Sequence, residues 1–287
     1  MYSPIALKHV HKFRQSFLNQ FWKCPESARR TNLGMGIETN SSDLIRGNAV
    51  HNAIESFGQI WSDNDQQPDL SDLLNWGVEE FEILSSEKHI HWRQSPQETF
   101  DAIEANLDIW YANILPLLRA PIAVEQKFEE MFYEDGTRKI YLTGTPDWVQ
   151  VNDEGLVEII DWKNPKTCPT NGPLWIEDRS NIQAMVYNWA LKAQSFTLVY
   201  LSAPKTNIRR IPNRPENHQA LLEMCVSIAV SLEANLTSLP QRWDSWYCDP
   251  NWCPHWSECR GAALGAEPFW KSETDLAKRQ KLTMEKL

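Results

Sequence analysis

The sequence predicts a mixed α/β fold with a helical N-terminal region, and three observations lead there. The first 120 residues carry apolar side chains at helical spacing. After Pro121 the texture changes to short segments rich in β-branched and aromatic residues, separated by the turn signals Glu-Asp-Gly and Asn-Asp-Glu-Gly. Helix-like and strand-like segments then alternate, which is the pattern of a sheet covered by helices. With 287 residues the chain is long enough to bury a core without disulfide staples.

In order along the chain, the expected elements begin with helices over Lys8 to Lys23, Asp43 to Trp61 with Asp43 as N-cap, Leu70 to Ser86, and Gln97 to Leu118. Ile122 to Phe132, Lys139 to Val151 and Leu156 to Trp162 read as a meander of three antiparallel strands. A helix over Ile176 to Ala193 follows, then a strand Ser195 to Leu201, a short strand Asn207 to Ile211, and a helix Arg214 to Ser238. No internal repeat, low-complexity tract or Gly/Ser linker divides the chain.

Composition bounds the function. No apolar run approaches the roughly 20 residues of a membrane helix, and the N-terminal MYSPIALKHVHKFRQ lacks the apolar segment of a signal peptide. The expectation is a soluble, cytoplasmic protein without membrane contact. In a reducing compartment, six cysteines are metal ligands or small buried hydrophobes rather than a disulfide framework. The formal net charge of -10 argues at first against a nucleic-acid partner.

Chemistry gathers at the second hairpin. Asp161 and Lys163, two apart in VEIIDWK, share one face of a strand. The NDEG turn pairs positions summing to about 307, which brings Asp147 opposite Ile160 or Asp161. Converging carboxylates repel unless a cation lies between them, the setting for Mg²⁺ or Mn²⁺. A lysine beside that ion is placed to orient or deprotonate water and to stabilise charge on a phosphate.

The run TGTPDW followed by VEIIDWK resembles the PD-(D/E)XK nuclease motif in its RecB-like branch. Gln183 and Tyr187 in NIQAMVY match that branch's QxxxY element, and Gly47 with His51 matches its G-x-x-x-H element. Glu125 in AVEQKF matches the acidic residue that often begins the first core strand. The resemblance implies a restriction-endonuclease-like core, with a mixed central sheet flanked by helices. It implies that His51, Asp147, Asp161 and the Trp162 backbone carbonyl bind a divalent ion, that Lys163 assists the attacking water, and that Gln183 and Tyr187 hold DNA and the active site. An imidazole ligand shifts preference toward Mn²⁺, with Mg²⁺ also competent.

Cys248, Cys253 and Cys259 lie in a loop dense in Trp and Pro, and three thiolates need a fourth ligand to close a Zn²⁺ or iron-sulfur site. Candidates are Cys24, Cys168, Cys225 and His255; Cys225 falls in an apolar helical pattern and reads as a packed side chain. The RecB-like branch includes AddB-type subunits, CRISPR-adaptation exonucleases and phage-type exonucleases in which one N-terminal Cys and a C-terminal triplet hold a 4Fe-4S cluster. Cys24, Cys248, Cys253 and Cys259 match that arrangement, with C-x4-C-x5-C spacing in place of the more usual C-x2-C start, and Zn²⁺ stands as the alternative metal.

The resulting expectation is a metal-dependent DNA exonuclease acting on single strands, 5′ to 3′ by resemblance. Its rivals are a structure-selective endonuclease and a scaffold subunit of a recombination or CRISPR-type complex. Residues 1–120 form a helical region with Cys24 and His51, residues 121–240 the nuclease core, and residues 241–287 the cysteine loop and tail. Lys205, Arg209, Arg210 and Arg214 concentrate positive charge after the last core strands and are expected to line a DNA path, so the acidic balance does not exclude nucleic acid.

Overall fold

The computed structural model describes residues 9–35, 40–86, 90–169, 181–234, 236, 238–245, 247–249, 253–261 and 263–264. They form two compact units, one of Met1–Gln15 with Thr39–Ala229 and the other of Ser16–Glu38 with Val230–Leu287. The mixed α/β fold read from the sequence is present.

The larger unit is built on a five-stranded sheet. β4 (Ala123–Val124), β7 (Trp148–Val151), β8 (Val157–Lys163), β9 (Ser195–Ser202) and β10 (Lys205–Pro212) run in the order β10-β9-β8-β7-β4. β8 and β9 are parallel, and the other pairs are antiparallel. One face carries Trp148, Ile160, Trp162, Val199 and Leu201, which pack into a single core with α3 (Ser42–Asn64), α4 (Leu70–Ser85) and α5 (Pro96–Asn113). Trp162 meets Trp110 and Trp148 edge-on, with centroids 5.9 and 6.1 Å apart. α6 (Ile182–Ala190) packs against β9, with Tyr187 edge-on to Phe196. Alternation along β8 therefore sends Trp162 into the helical layer and leaves Asp161 and Lys163 on the α6 face.

Helix starts are legible locally. Ser95 and Glu98 form a reciprocal capping box with Pro96 in the first turn of α5, and Asp69 with Asp72 does the same for α4. α3 is capped by Ser41, whose hydroxyl accepts from the Leu44 amide, rather than by Asp43, which lies inside the first turn.

Several expectations are corrected. His9–Arg14 is a strand, β1, and the first helix, α1, covers only Gln15–Lys23. The residues alternate, with His9, His11 and Phe13 stacked along one face, and β1 pairs in parallel with β6 (Arg138–Gly144). The expected three-strand meander is divided between two sheets: β5 (Phe128–Glu134) and β6 join β1, while β4 and β7 join the larger sheet. The first break falls at Glu125, which has φ of 45°, and the second at Pro146, whose ring cannot donate to a ladder. α5 stops at Asn113 before a 3₁₀ turn Leu115–Leu117 containing Pro116. The helix expected over 176–193 is observed as Ile182–Ala190, its first part lying outside the described residues. The last helix, α7, spans Pro215–Glu233 and ends short of Ser238. The short β2 (Asn40–Ser41) and β3 (Ile90–His91) pair with each other, and α2 covers Pro25–Asn32.

Candidate metal centre and cysteine cavity

The β7–β8 hairpin pairs Trp148 with Ile160, a register that continues to Asp147 opposite Asp161, one of the two pairings expected. Asp147 thus stands just ahead of the ladder, and its Oδ2 accepts the Trp162 amide proton at 2.8 Å. Across the sheet, β4 pairs Val124 with Trp148, so Glu125 arrives opposite Asp147 and its amide reaches the Asp147 carbonyl at 3.4 Å. From α3, the His51 ring lies between them: Nδ1 is 3.3 Å from Asp147 Oδ2 and Nε2 is 2.8 Å from the Trp162 carbonyl oxygen. Ligand atoms of His51, Glu125 and Asp147 all fall within 4.8 Å of one another.

Asp161 adjoins this group and is turned toward the α6 side. Its Oδ1 accepts from Gln183 Nε2 at 2.5 Å, and its Oδ2 is paired with the Lys163 ammonium. Lys163 in turn donates to Gln183 Oε1 at 3.2 Å. Tyr187 donates its hydroxyl proton to the Thr145 carbonyl at 3.0 Å and so braces the turn ahead of Asp147. Gly144 permits that contact, because a Cβ there would lie 2.4 Å from Tyr187 Cε1. Behind Lys163, Arg46 donates to the Asn164 carbonyl and Asn106 to the Asn164 side chain, pinning the strand end from α3 and α5.

The electrostatics of the site follow from burial and crowded carboxylates. Burial, then the nearby Asp161 charge, pushes the Asp147 carboxyl well above the usual range. Burial, with Asp147 and Glu55, pushes Glu125 up to about 7. Burial lowers His51, which leaves a neutral imidazole with a lone pair to offer. Burial alone would lower Lys163, but Asp161 and Asp147 outweigh it and hold the ammonium charged. Neutral nitrogen and crowded carboxyl oxygens with unfavourable charge are the donor set of a divalent cation, which would relieve the repulsion.

Sequence reasoning brought His51, Asp147, Asp161, Lys163, Gln183, Tyr187 and the Trp162 carbonyl to one place, and the structure does assemble them. It did not place Glu125 among the candidate metal donors, since that depends on β4 pairing with β7. Nor did it find Glu55, one helical turn beyond His51 on α3, although that spacing was the available signal. The basic residues divide. Register aligns Arg209 with Leu198 and Asp161, and puts Lys205 on the same face. Arg209 is mostly buried, its guanidinium 5.6 Å from the Tyr200 ring centroid. Arg210 is on the opposite face, paired with Glu158, and Arg214 is exposed beyond the strand.

In the smaller unit, Cys24, Cys248, Cys253 and Cys259 line one cavity together with Arg30, His255, Trp256 and Arg260. Cys24 immediately precedes α2, whose buried Glu26 accepts from Arg29, Arg30 and the Leu239 amide. Cys168 lies after β8 and Cys225 is fully buried on α7, neither of them lining this cavity.

A sheet whose neighbouring strand ends present Asp147 and the Asp161-x-Lys163 pair defines a metal-dependent phosphodiester-cleaving site. The family model for the PD-(D/E)XK nuclease superfamily matches residues 13–260, and the chain belongs to that superfamily. Among solved structures it is similar to one described as "Putative exonuclease" from Eubacterium rectale, at 12% identity and a TM-score of 0.50, over 81% of this chain and 85% of that one. It is also similar to a crystal structure designated SSO0001, at 14% identity and a TM-score of 0.39, over 86% of this chain and 95% of that one. No curated protein matches the chain by sequence. The protein is thus a metal-dependent nuclease by family, and no described helix is long and apolar enough to cross a membrane.

Proposed function

We propose that the protein is a divalent-metal-dependent DNA exonuclease that degrades single strands from the 5′ end and carries a 4Fe-4S cluster on Cys24, Cys248, Cys253 and Cys259. The observation that carries the nuclease site is the convergence of His51, Asp147, Glu125 and the Trp162 carbonyl beside the Asp161–Lys163 pair. The exonuclease reading and its polarity rest on resemblance to the RecB-like branch and on the similar protein described as an exonuclease.

His51, Asp147, Asp161 and the Trp162 carbonyl would hold Mn²⁺ or Mg²⁺, with Glu125 as a further oxygen donor. A cation there supplies Lewis-acid polarisation of a phosphate oxygen and a lowered pKa for water. Lys163, kept charged by its carboxylate neighbours, acts as a cation toward the developing phosphorane charge rather than as a base. Gln183 bridges Asp161 and Lys163 and fixes both, while Tyr187 holds the Thr145 turn. Lys205, exposed on the Asp161 face of the sheet, would follow the DNA backbone, a role less suited to the buried Arg209.

The donor set of the cysteine cavity fits the cluster. Four cysteines lining one cavity can supply the four thiolates of a 4Fe-4S cluster or of tetrahedral zinc, and the resemblance to the cluster-bearing nucleases favours the cluster. Arg30 and Arg260 in the wall complement the negative charge of four thiolates.

The test is digestion of 5′-labelled, 3′-labelled and circular single-stranded DNA with Mn²⁺, alongside iron and sulfide analysis of anaerobically purified protein. Linear strands should be degraded from the 5′ end and circles left intact, and Lys163→Ala should lower the rate about 100-fold or more. Cleavage of circles would replace the exonuclease reading with an endonuclease. Stoichiometric zinc without sulfide would remove the cluster.

A further inference from the structure

His255 is the one histidine in the cysteine cavity wall, and it is only 1% exposed. Its two ring nitrogens have different surroundings. Nε2 lies 2.9 Å from the Thr31 hydroxyl, while Nδ1 is buried with no hydrogen-bond partner among the described residues. The Thr31 oxygen accepts from Gln20 Nε2 at 2.8 Å and still has its own proton to donate to Nε2. In the tautomer that accepts at Nε2 the imidazole carries its proton on Nδ1, which is then a buried, unsatisfied donor on a residue lining the same cavity as the four cysteines. Buried donors are almost always paired in native structures, which makes an orphan in a cavity wall informative about what fills the cavity.

The His255 backbone is also tied into the cysteine segment. The Cys259 amide donates to the His255 carbonyl at 3.0 Å, and the Thr31 contact fixes the far edge of the imidazole. Cys253 sits two residues before it, with its Sγ 3.9 Å from the Ser27 hydroxyl.

Resting on the cluster reading above, we infer that His255 is a positioning residue that donates a hydrogen bond from Nδ1 to a thiolate or sulfide sulfur of the cluster and thereby sets its reduction potential. Hydrogen bonds to the sulfurs stabilise the more negative, reduced state and raise the potential. His255 is therefore a donor to the cluster, while Cys24 is the fourth ligand.

The experiment measures iron and sulfide content and the cluster midpoint potential in the full-length protein, comparing wild type with His255→Phe and His255→Asn. Asn restores an amide donor near the Nδ1 position, and Phe does not. Both variants should keep wild-type iron and sulfide, the Phe variant should shift to a more negative potential, and the Asn variant should return most of the way. Loss of iron in both variants would make His255 a ligand and overturn the inference. An unchanged potential in a Phe variant with full iron would overturn it too, leaving the ring a packing residue. If the Phe variant fails to fold, a wild-type potential in the Asn variant beside a lowered one in His255→Gln, whose amide reaches the Nε2 position, carries the same decision. Wild-type protein that holds zinc and no sulfide would defeat the underlying cluster reading instead, an outcome distinguishable from all the others.

Discussion

Glu125 occupies a left-handed backbone conformation, with φ of 45°, at the point where the chain leaves one sheet for the other. A non-glycine residue held there is strained by its Cβ, and such strain is found where surrounding structure fixes a functional side chain. The result is a carboxyl beside Asp147 and Glu55 that burial and those charges lift from an ordinary 4.5 to about 7. Because the folded-state value is the higher one, the stability linked to this group is full below about pH 4.5 and is lost as pH rises through about 7. Glu125→Gln keeps the shape without the charge. Metal-free Glu125→Gln should therefore match wild type in thermal midpoint near pH 4.5 and exceed it at pH 8, while binding Mn²⁺ more weakly. Differential scanning calorimetry at the two pH values, with calorimetric metal titration at pH 8, checks both; a wild-type midpoint at or above the variant's at pH 8 would count against the crowded-carboxylate account.

At the scale of elements, the distance between α3 and the sheet decides whether His51 reaches Asp147. Gly58 sets that distance, since a Cβ there would lie 2.5 Å from Trp148 Cζ3 and 3.0 Å from Val124 Cγ2, on the strands that follow Asp147 and precede Glu125. Gly47, one helical turn before His51, faces open space where a Cβ would stand. The same substitution should thus act in opposite directions on one helix. Gly58→Ala is expected to cost about 1–3 kcal/mol by overpacking and to weaken Mn²⁺ binding as α3 is pushed outward. Gly47→Ala should be neutral or stabilising by up to about 1 kcal/mol through helix propensity. Urea unfolding of both variants measures this, and equal destabilisation of the two would mean that the close approach at Gly58 does not set the helix position. Elements of this kind were unevenly legible in the sequence. The β7–β8 hairpin, with Asp161 and Lys163 on one face, followed from a local turn and period-two alternation, and its register is one of the two expected. β1 was missed because its partner β6 lies more than a hundred residues away, and the alternation of His9, His11 and Phe13 was read through the helix that follows. Glu125's place in the site was likewise hidden, for it exists only through the non-local pairing of β4 with β7.

For the molecule as a whole, the path of the chain gives the cysteines their consequence. The smaller unit is assembled from Ser16–Glu38 and Val230–Leu287, so two distant stretches of sequence must meet to form it. Within it, Glu26 is only 1% exposed and joins Arg29, Arg30 and the Leu239 amide, which fastens one stretch to the other by charge-assisted hydrogen bonds. Ligation of Cys24 together with Cys248, Cys253 and Cys259 would add a covalent restraint across the same division. By chain-entropy reasoning a crosslink closing roughly 220 residues restrains the unfolded state by about 5 kcal/mol, a ceiling lowered by any residual structure in that state. Cys24→Ser removes one ligand and should lose the cluster's visible absorbance and depress the thermal midpoint by roughly 5–15 °C. Cys168→Ser, outside the cavity, should do neither. The pair of variants separates a restraint specific to the four-cysteine site from a general sensitivity to thiol loss. If Cys24→Ser bleached the absorbance yet unfolded at the wild-type temperature, the cysteines would have to serve electron transfer rather than the joining of the two stretches, and the Glu26 network would carry that joining alone.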